Sequence, residues 1–283
     1  VLISPHVAPW LLSFDLPFID THIDTPAEAA VVVTIGIYAL AALFNLRIPD
    51  TGARYPGRTS NPFTLLRIFW HCNLTLWRDP LGQIALAVTT LFWGAGASLQ
   101  FLVLKWAEHQ LDMRLDQATR LQGVVALGVA LGAVLAASWV PLRRSLRVLP
   151  LGVAMGFAIM LMTIVHNEAM AMLVLLVIGI LSGFFVVPMN ALLQHRGYVV
   201  MSAGNSIAVQ NFNENLNILV MLSFYALMLW LDLPINTVAV LFGLAVASVM
   251  LLVILWHRRN QRRFDSEVHI GEDPRHGNIP TPH

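Results

Sequence analysis

The chain has 283 residues, of which 57% are hydrophobic and 12% charged, with a formal net charge of +1. A soluble domain carries about 25% charged residues, so an ordinary water-soluble fold is excluded, and the near-zero charge gives no basis for a nucleic-acid partner. Cys72 is the single cysteine, which excludes an internal disulfide and any cysteine-built metal site, and the ten histidines show no ligand spacing. The chain opens on Val1 with no signal-peptide pattern, and its first residues read as the end of something apolar. It is therefore expected to be an N-terminally truncated piece of a longer protein.

In chain order, residues 1–25 read as the end of a preceding helix and an outer, Pro- and Asp-containing loop. Residues 26–46 form the first apolar run of a length that can cross a bilayer. Residues 47–80 are a polar loop, the best candidate for an interdomain boundary. Inside that loop Phe63, Leu66, Trp70, Leu74 and Trp77 fall on one helical face, which predicts a short amphipathic helix lying on the membrane surface. The alternative is a helix packed on the bundle.

Six further apolar runs follow at 81–106, 118–140, 148–165, 170–193, 206–231 and 235–256, the third of these six being the shortest. Together 81–256 predict a six-helix bundle, and 257–283 a disordered cytoplasmic tail. The runs are continuous rather than alternating, so they are helices and not barrel strands. The fold class expected is an all-α polytopic membrane protein with seven transmembrane helices.

The arginines set the orientation. Placing the 47–80 loop inside gives that side thirteen of the 17 Lys and Arg, among them Arg143, Arg144, Arg147, Arg258, Arg259, Arg262 and Arg263. The other side then holds Lys105, Arg114 and Arg120. The positive-inside rule puts the C-terminus in the cytoplasm.

Polar side chains inside such runs are expensive and therefore informative. Gln210, Asn213, Glu214 and Asn217 share one arc of the penultimate run, flanked by Asn211 and Asn215. They are candidates to line a polar path, with interhelical hydrogen bonding as the alternative for the asparagines. Glu214 is the strongest candidate, because a carboxylate is costly glue. Asn190 and Gln194 share a face after Pro188, and Gln100 and Lys105 lie on the second run. Snorkelling to the headgroups is the plainer reading of Lys105, and topology control that of Arg143, Arg144 and Arg147. Small residues at Gly94, Ala97 and Ser98 permit close helix approach. No nucleophile elbow, phosphate loop, zinc-protease or dinucleotide motif occurs, so neither an enzyme nor a cofactor is expected.

Three blocks carry a family resemblance: LFWGAG at 91–96 with LQFLVL at 99–104, GFFVVPMNALLQ at 183–194, and AGNSIAVQN at 203–211 followed by Glu214 and Asn215. Across 30–256 the chain resembles the lysophospholipid transporters of the major facilitator superfamily. That resemblance implies helix six plus the C-terminal six-helix half of a twelve-helix fold. It implies movement of lysophospholipid, chiefly lysophosphatidylethanolamine, across the bacterial inner membrane for reacylation, with membrane lipids and a cytoplasmic-side acyltransferase as partners. Gln100 departs from the arginine often found there, and a cation stands instead at Lys105, about 140° around the helix. The rival readings are a facilitator for a small soluble solute or drug, and a non-transporting half.

Overall fold

The computed structural model describes residues 26–47, 61–263 and Ile270. Its helices are α1 (Pro26–Asn45), α2 (Pro62–Arg78), α3 (Gly82–Gln110), α4 (Leu115–Trp139), α5 (Leu149–Leu161), α6 (Glu168–Val200), α7 (Ala203–Trp230) and α8 (Ile235–Arg263). Short 3-10 turns, Leu142–Val148 and Met162–Ile164, flank α5. No strand occurs among the described residues. The chain forms two units, Val1–Ser60 with α1 and Asn61–His283 with the rest. It is a polytopic α-helical membrane protein. Among the described residues six helical segments are long and apolar enough to cross a membrane, whereas α1 supplies a shorter apolar stretch, Val31–Asn45.

Local chemistry starts and stops these helices. Asn61 caps α2 by accepting from the Phe63 amide at 3.0 Å, with Pro62 in the first turn where a missing N–H costs nothing. Asn167 caps α6 through the Met170 amide at 2.7 Å, and Ser202 caps α7. Asp112 and Asp232 take left-handed backbone angles, φ 49° and 53°, in the tight turns after α3 and α7. A short polar side chain tolerates that region better than most.

The bundle is built from three extensively packed pairs: α4 with α6, α5 with α8, and α3 with α7. Lipid offers no hydrophobic drive for helix association, so close backbone approach must supply it. Gly128 and Gly132 on α4 face Gly179 and Gly183 on α6, each set spaced four apart. A methyl group on Gly128 would lie 2.5 Å from the Leu176 carbonyl oxygen, and one on Gly183 would lie 2.8 Å from the Ala133 nitrogen. Gly94 does the same for α3 and α7, leaving room for Asn217 and Met221. Buried side chains form two layers, one around Trp106, Leu121 and Phe242, the other around Leu76, Ile84, Phe185 and Met250.

Several expectations need correction. The run at 148–165 is not one helix: Pro150 sits in the first turn of α5, and both ends tighten into 3-10 turns. The whole segment Leu142–Ile164 still has spanning length. The predicted tail does not begin at 257, because α8 continues to Arg263. Arginine and glutamine are good helix formers, so the ladder of backbone bonds runs on past the apolar stretch. Ile270 is buried in the second layer rather than disordered, which removes its apolar side chain from water. The remaining residues of 1–25 and of the tail lie outside the described residues.

Helix α2 forms where it was expected, and the face it turns to the bundle is not the aromatic stripe. Cys72, Asn73 and Leu76 are buried, while Phe63 is 81% and Trp70 53% exposed. Only Trp77 of the predicted stripe turns inward.

The α4–α6 contact gives a sharp test. Gly183→Val should cost about 3 kcal/mol or more, because backbone rather than a flexible side chain stands in the way. Gly96→Val, where nothing lies within 4 Å, should be tolerated. Size-exclusion profiles and melting curves in detergent should separate the two, and equal stability would refute the contact.

Candidate functional site

The polar arc of α7 is real, and the structure sorts its members. Gln210, Asn213, Glu214 and Asn217 turn toward the bundle, while Asn211 and Asn215 stay exposed. The Gln210 amide donates twice, to Asn190 Oδ1 on α6 at 2.9 Å and to Glu214 Oε1 at 2.8 Å. Gln210 thus ties α6 to α7 and holds the carboxylate. Glu214 is 8% exposed and meets no cation among the described residues. It lies at the edge of the buried arc, one step round the helix from exposed Asn211. Gln194, one turn beyond Asn190, is exposed.

Asn213 and Asn217 use their amides on other helices. Asn213 Nδ2 donates to Asn73 Oδ1 on α2 at 2.8 Å, and its Oδ1 accepts from the Trp77 indole at 3.2 Å. Asn217 donates to the Thr90 carbonyl of α3 at 2.8 Å. Asn215 bonds along its own helix, to the Asn211 carbonyl at 2.7 Å. Phe69 of α2 and Phe212 of α7 pack edge to face at 5.2 Å.

At the α2–α3 elbow, Asp79 accepts from the Gly82 amide at 2.7 Å and from Arg196 Nε of α6 at 3.0 Å. The two side chains, Arg196 and Asp79, are only 13% and 10% exposed. Removing one partner of such a pair strands a buried charge, at about 3–5 kcal/mol. Near the α2–α3 elbow, α2, α3, α6 and α7 are therefore joined by polar contacts.

Gln100 and Lys105 lie elsewhere. Gln100 is exposed, and its carbonyl accepts from Gln122 of α4 at 2.7 Å. Lys105 pairs with Glu108 at 3.4 Å near the opposite end. It is roughly 16 Å further along α3 than Gly94, at 1.5 Å per residue. The candidates thus fall at two levels, an amide-rich one beside the α2–α3 elbow and a charged one near the opposite end of α3.

Reading the sequence missed Asn73, Trp77 as a donor, Asp79 and Arg196 as parts of the cluster beside the elbow. The available signals were a polar residue inside an amphipathic helix and a Pro80 elbow beside an aspartate. Among the described residues no three potential ligands converge on a metal site.

The chain is 38% identical over 225 residues to "Lysophospholipid transporter LplT" of Escherichia coli O157:H7, covering 79% of this chain and 56% of that protein. Its counterpart in Escherichia coli O1:K1 is 37% identical over 233 residues, 82% and 58% of the two chains. The one in Yersinia enterocolitica serotype O:8 is 43% identical over 201 residues, 70% and 50%. The chain therefore spans about half the length of these relatives. No family model matches it, and no solved structure matches it.

Cys72 reports on how α2 is docked. Burial pushes its thiol above the ordinary range, so little thiolate is present at neutral pH and maleimide labelling should be slow. Labelling should speed up only as the pH passes the usual thiol range. Asn213→Leu removes the partner of both Asn73 and Trp77 and should raise the neutral-pH labelling rate about tenfold, an opening easier by roughly 1.4 kcal/mol. Asn215→Leu should leave the rate unchanged. Equal rates in all three proteins would show that Asn213 does not hold α2.

Proposed function

We propose that the chain belongs, over the stretch it shares with these relatives, to the lysophospholipid transporter family, and that it forms one wall of a path for lysophospholipid. The substrate we assign is chiefly lysophosphatidylethanolamine, moved across the bacterial inner membrane toward reacylation by a cytoplasmic-side acyltransferase. The fold we assign is that of the C-terminal half of a major facilitator transporter, with the α2 end in the cytoplasm.

One observation carries this reading: the carboxylate of Glu214 is held by Gln210, itself bonded to Asn190, beside the exposed flank of α7. A carboxylate at membrane depth is unfavourable by about 3 kcal/mol without hydration or a partner. A passing ethanolamine amine is a partner of the right sign. Asn211 and Asn215 extend the polar surface from Glu214 outward, while Phe212, Leu216 and Leu219 supply an exposed apolar side for the acyl chain. Asn213 and Asn217 support the path by holding α2 and α3 rather than by touching substrate. The names of the relatives point to the same substrate class.

The test uses a chimera in which this chain replaces the matching stretch of the Escherichia coli relative. The chimera should take up lysophosphatidylethanolamine into proteoliposomes, and the 283-residue chain alone should not exceed empty liposomes. In the chimera, Glu214→Leu should insert normally and lower uptake at least about tenfold, a loss of roughly 1.4 kcal/mol at the transition state. Glu214→Gln, which keeps the amide-bonding oxygen, should fall between. Wild-type uptake per inserted molecule with leucine at 214 would remove the carboxylate from the path.

A further inference from the structure

The other end of the bundle holds a second feature, distant from the amide network. A cavity of about 740 Å³ opens between the later part of α3, the α3–α4 turn and α7. Its walls are of two kinds. Lys105, Glu108, Asp112 and Arg114 bring two cations and two carboxylates to its lining, and Phe101, Leu104, Leu115 and Leu229 make its apolar part together with buried Tyr225. On α7, Tyr225 stands three turns beyond Glu214, roughly 16 Å by helical rise.

The turn makes this arrangement. After α3, the Leu111 and Met113 amides both return to the Ala107 carbonyl, at 3.2 and 3.3 Å. Asp112 between them takes the left-handed conformation that reverses the chain within a few residues. Arg114 is thereby brought to the same lining as Lys105. The Lys105–Glu108 pair is long at 3.4 Å, and both side chains are well exposed, 44% and 62%. An exposed pair of this kind contributes about 0–1 kcal/mol, so a ligand can replace it without a large loss.

The geometry points to a capture site here for a single-chain amphiphile with a zwitterionic phosphate headgroup. The phosphate would sit between Lys105 and Arg114, the cationic amine against Glu108 and Asp112, and the start of the acyl chain on Phe101 and Leu229. Both signs of charge are needed for such a headgroup. A purely anionic ligand would meet two carboxylates, and an uncharged one would use none of the charged lining. The volume lies within the roughly 300–1,000 Å³ typical of small-molecule pockets. This site deepens the transport reading and rests on it for the substrate class. It places first contact at the end of the bundle opposite Glu214.

The experiment uses the full chain in phosphatidylcholine nanodiscs with a diazirine-bearing lysophosphatidylethanolamine, and maps adducts by mass spectrometry. Labelling should be saturable on 101–115 and 225–229. Unlabelled lysophosphatidylethanolamine should compete, glycerophosphoethanolamine should compete weakly, and inorganic phosphate and dodecyl maltoside should not. Lys105→Gln should reduce labelling about tenfold, as expected for one charge-assisted contact. Lys105→Arg should restore most of it, which a folding defect would not allow. Arg114→Gln should act like Lys105→Gln, and Glu214→Gln should change nothing at this end. Unchanged labelling in Lys105→Gln, or competition by phosphate as strong as by the lysolipid, would overturn the site. Adducts confined to 210–215 would overturn it too while leaving the path at Glu214 standing. Conversely, normal chimera uptake with Glu214→Leu would remove that path without touching the labelling at 101–115.

Discussion

Between α4 and α6 there is no space for a methyl group, and the positions of the polar side chains follow from that fact. Gly128, Gly132, Gly179 and Gly183 let two backbones touch, so α6 is fixed along its length against α4. The same helix carries Asn190 and Arg196 a few turns further on. Their side chains can reach Gln210 and Asp79 only because the axis of α6 is already placed. Dispersion contacts of this kind are individually weak, but they add along a helix and need no water to be released.

The polar contacts then fix what packing alone leaves free. Helices in lipid slide and rotate cheaply against one another when their surfaces are uniformly apolar. An amide bonded across a helix pair specifies one rotation, at an average worth near 0.6 kcal/mol. Asn217 specifies how α7 meets α3, Gln210 how it meets α6, and Asn213 where α2 docks. All three lie on one arc of α7. The opposite arc has no such duty, and it is the arc left exposed, with Phe212, Leu216 and Leu219. Asn211 and Asn215 sit on the border between them.

The same division separates what the sequence makes legible from what it does not. The spans are readable because an apolar run of bilayer length has few uses outside a membrane helix, and the polar arc is readable from helical spacing alone. Spacing does not say which arc meets protein. Gln210 and Asn213 bond side chains 20 and 140 residues away, and Arg196 bonds Asp79 across 117. No periodicity records such pairings. Helix α2 shows the same limit. Its stripe from Phe63 to Leu74 is visible in the sequence and is exposed in the fold. The face that actually docks, Cys72, Asn73 and Leu76, is shorter and mixed in polarity, so it stands out on no helical wheel. The glycine pairs are legible in principle, since Gly-x-x-x-Gly is written three times, at 128–132, 152–156 and 179–183. That the first and the last of these face each other requires the fold.

The two ends of the bundle use different chemistry, and the dielectric accounts for the difference. At the level of the α2–α3 elbow the polar groups that bridge transmembrane helices are mostly amides. An amide can be buried with its bonds made and carries no net charge to desolvate. The charged pair there, Asp79 with Arg196, sits at the elbow before α3 and is compensated by directed contacts. At the opposite end Lys105 and Glu108 keep access to solvent, where a charge is cheap to hold and free to change partners. Glu214 is the exception to this arrangement: a carboxylate buried among amides, held by the Gln210 amide and facing no cation among the described residues. On the transport reading proposed above, the headgroup amine is the partner for which a carboxylate, costly to hold at membrane depth, is kept there.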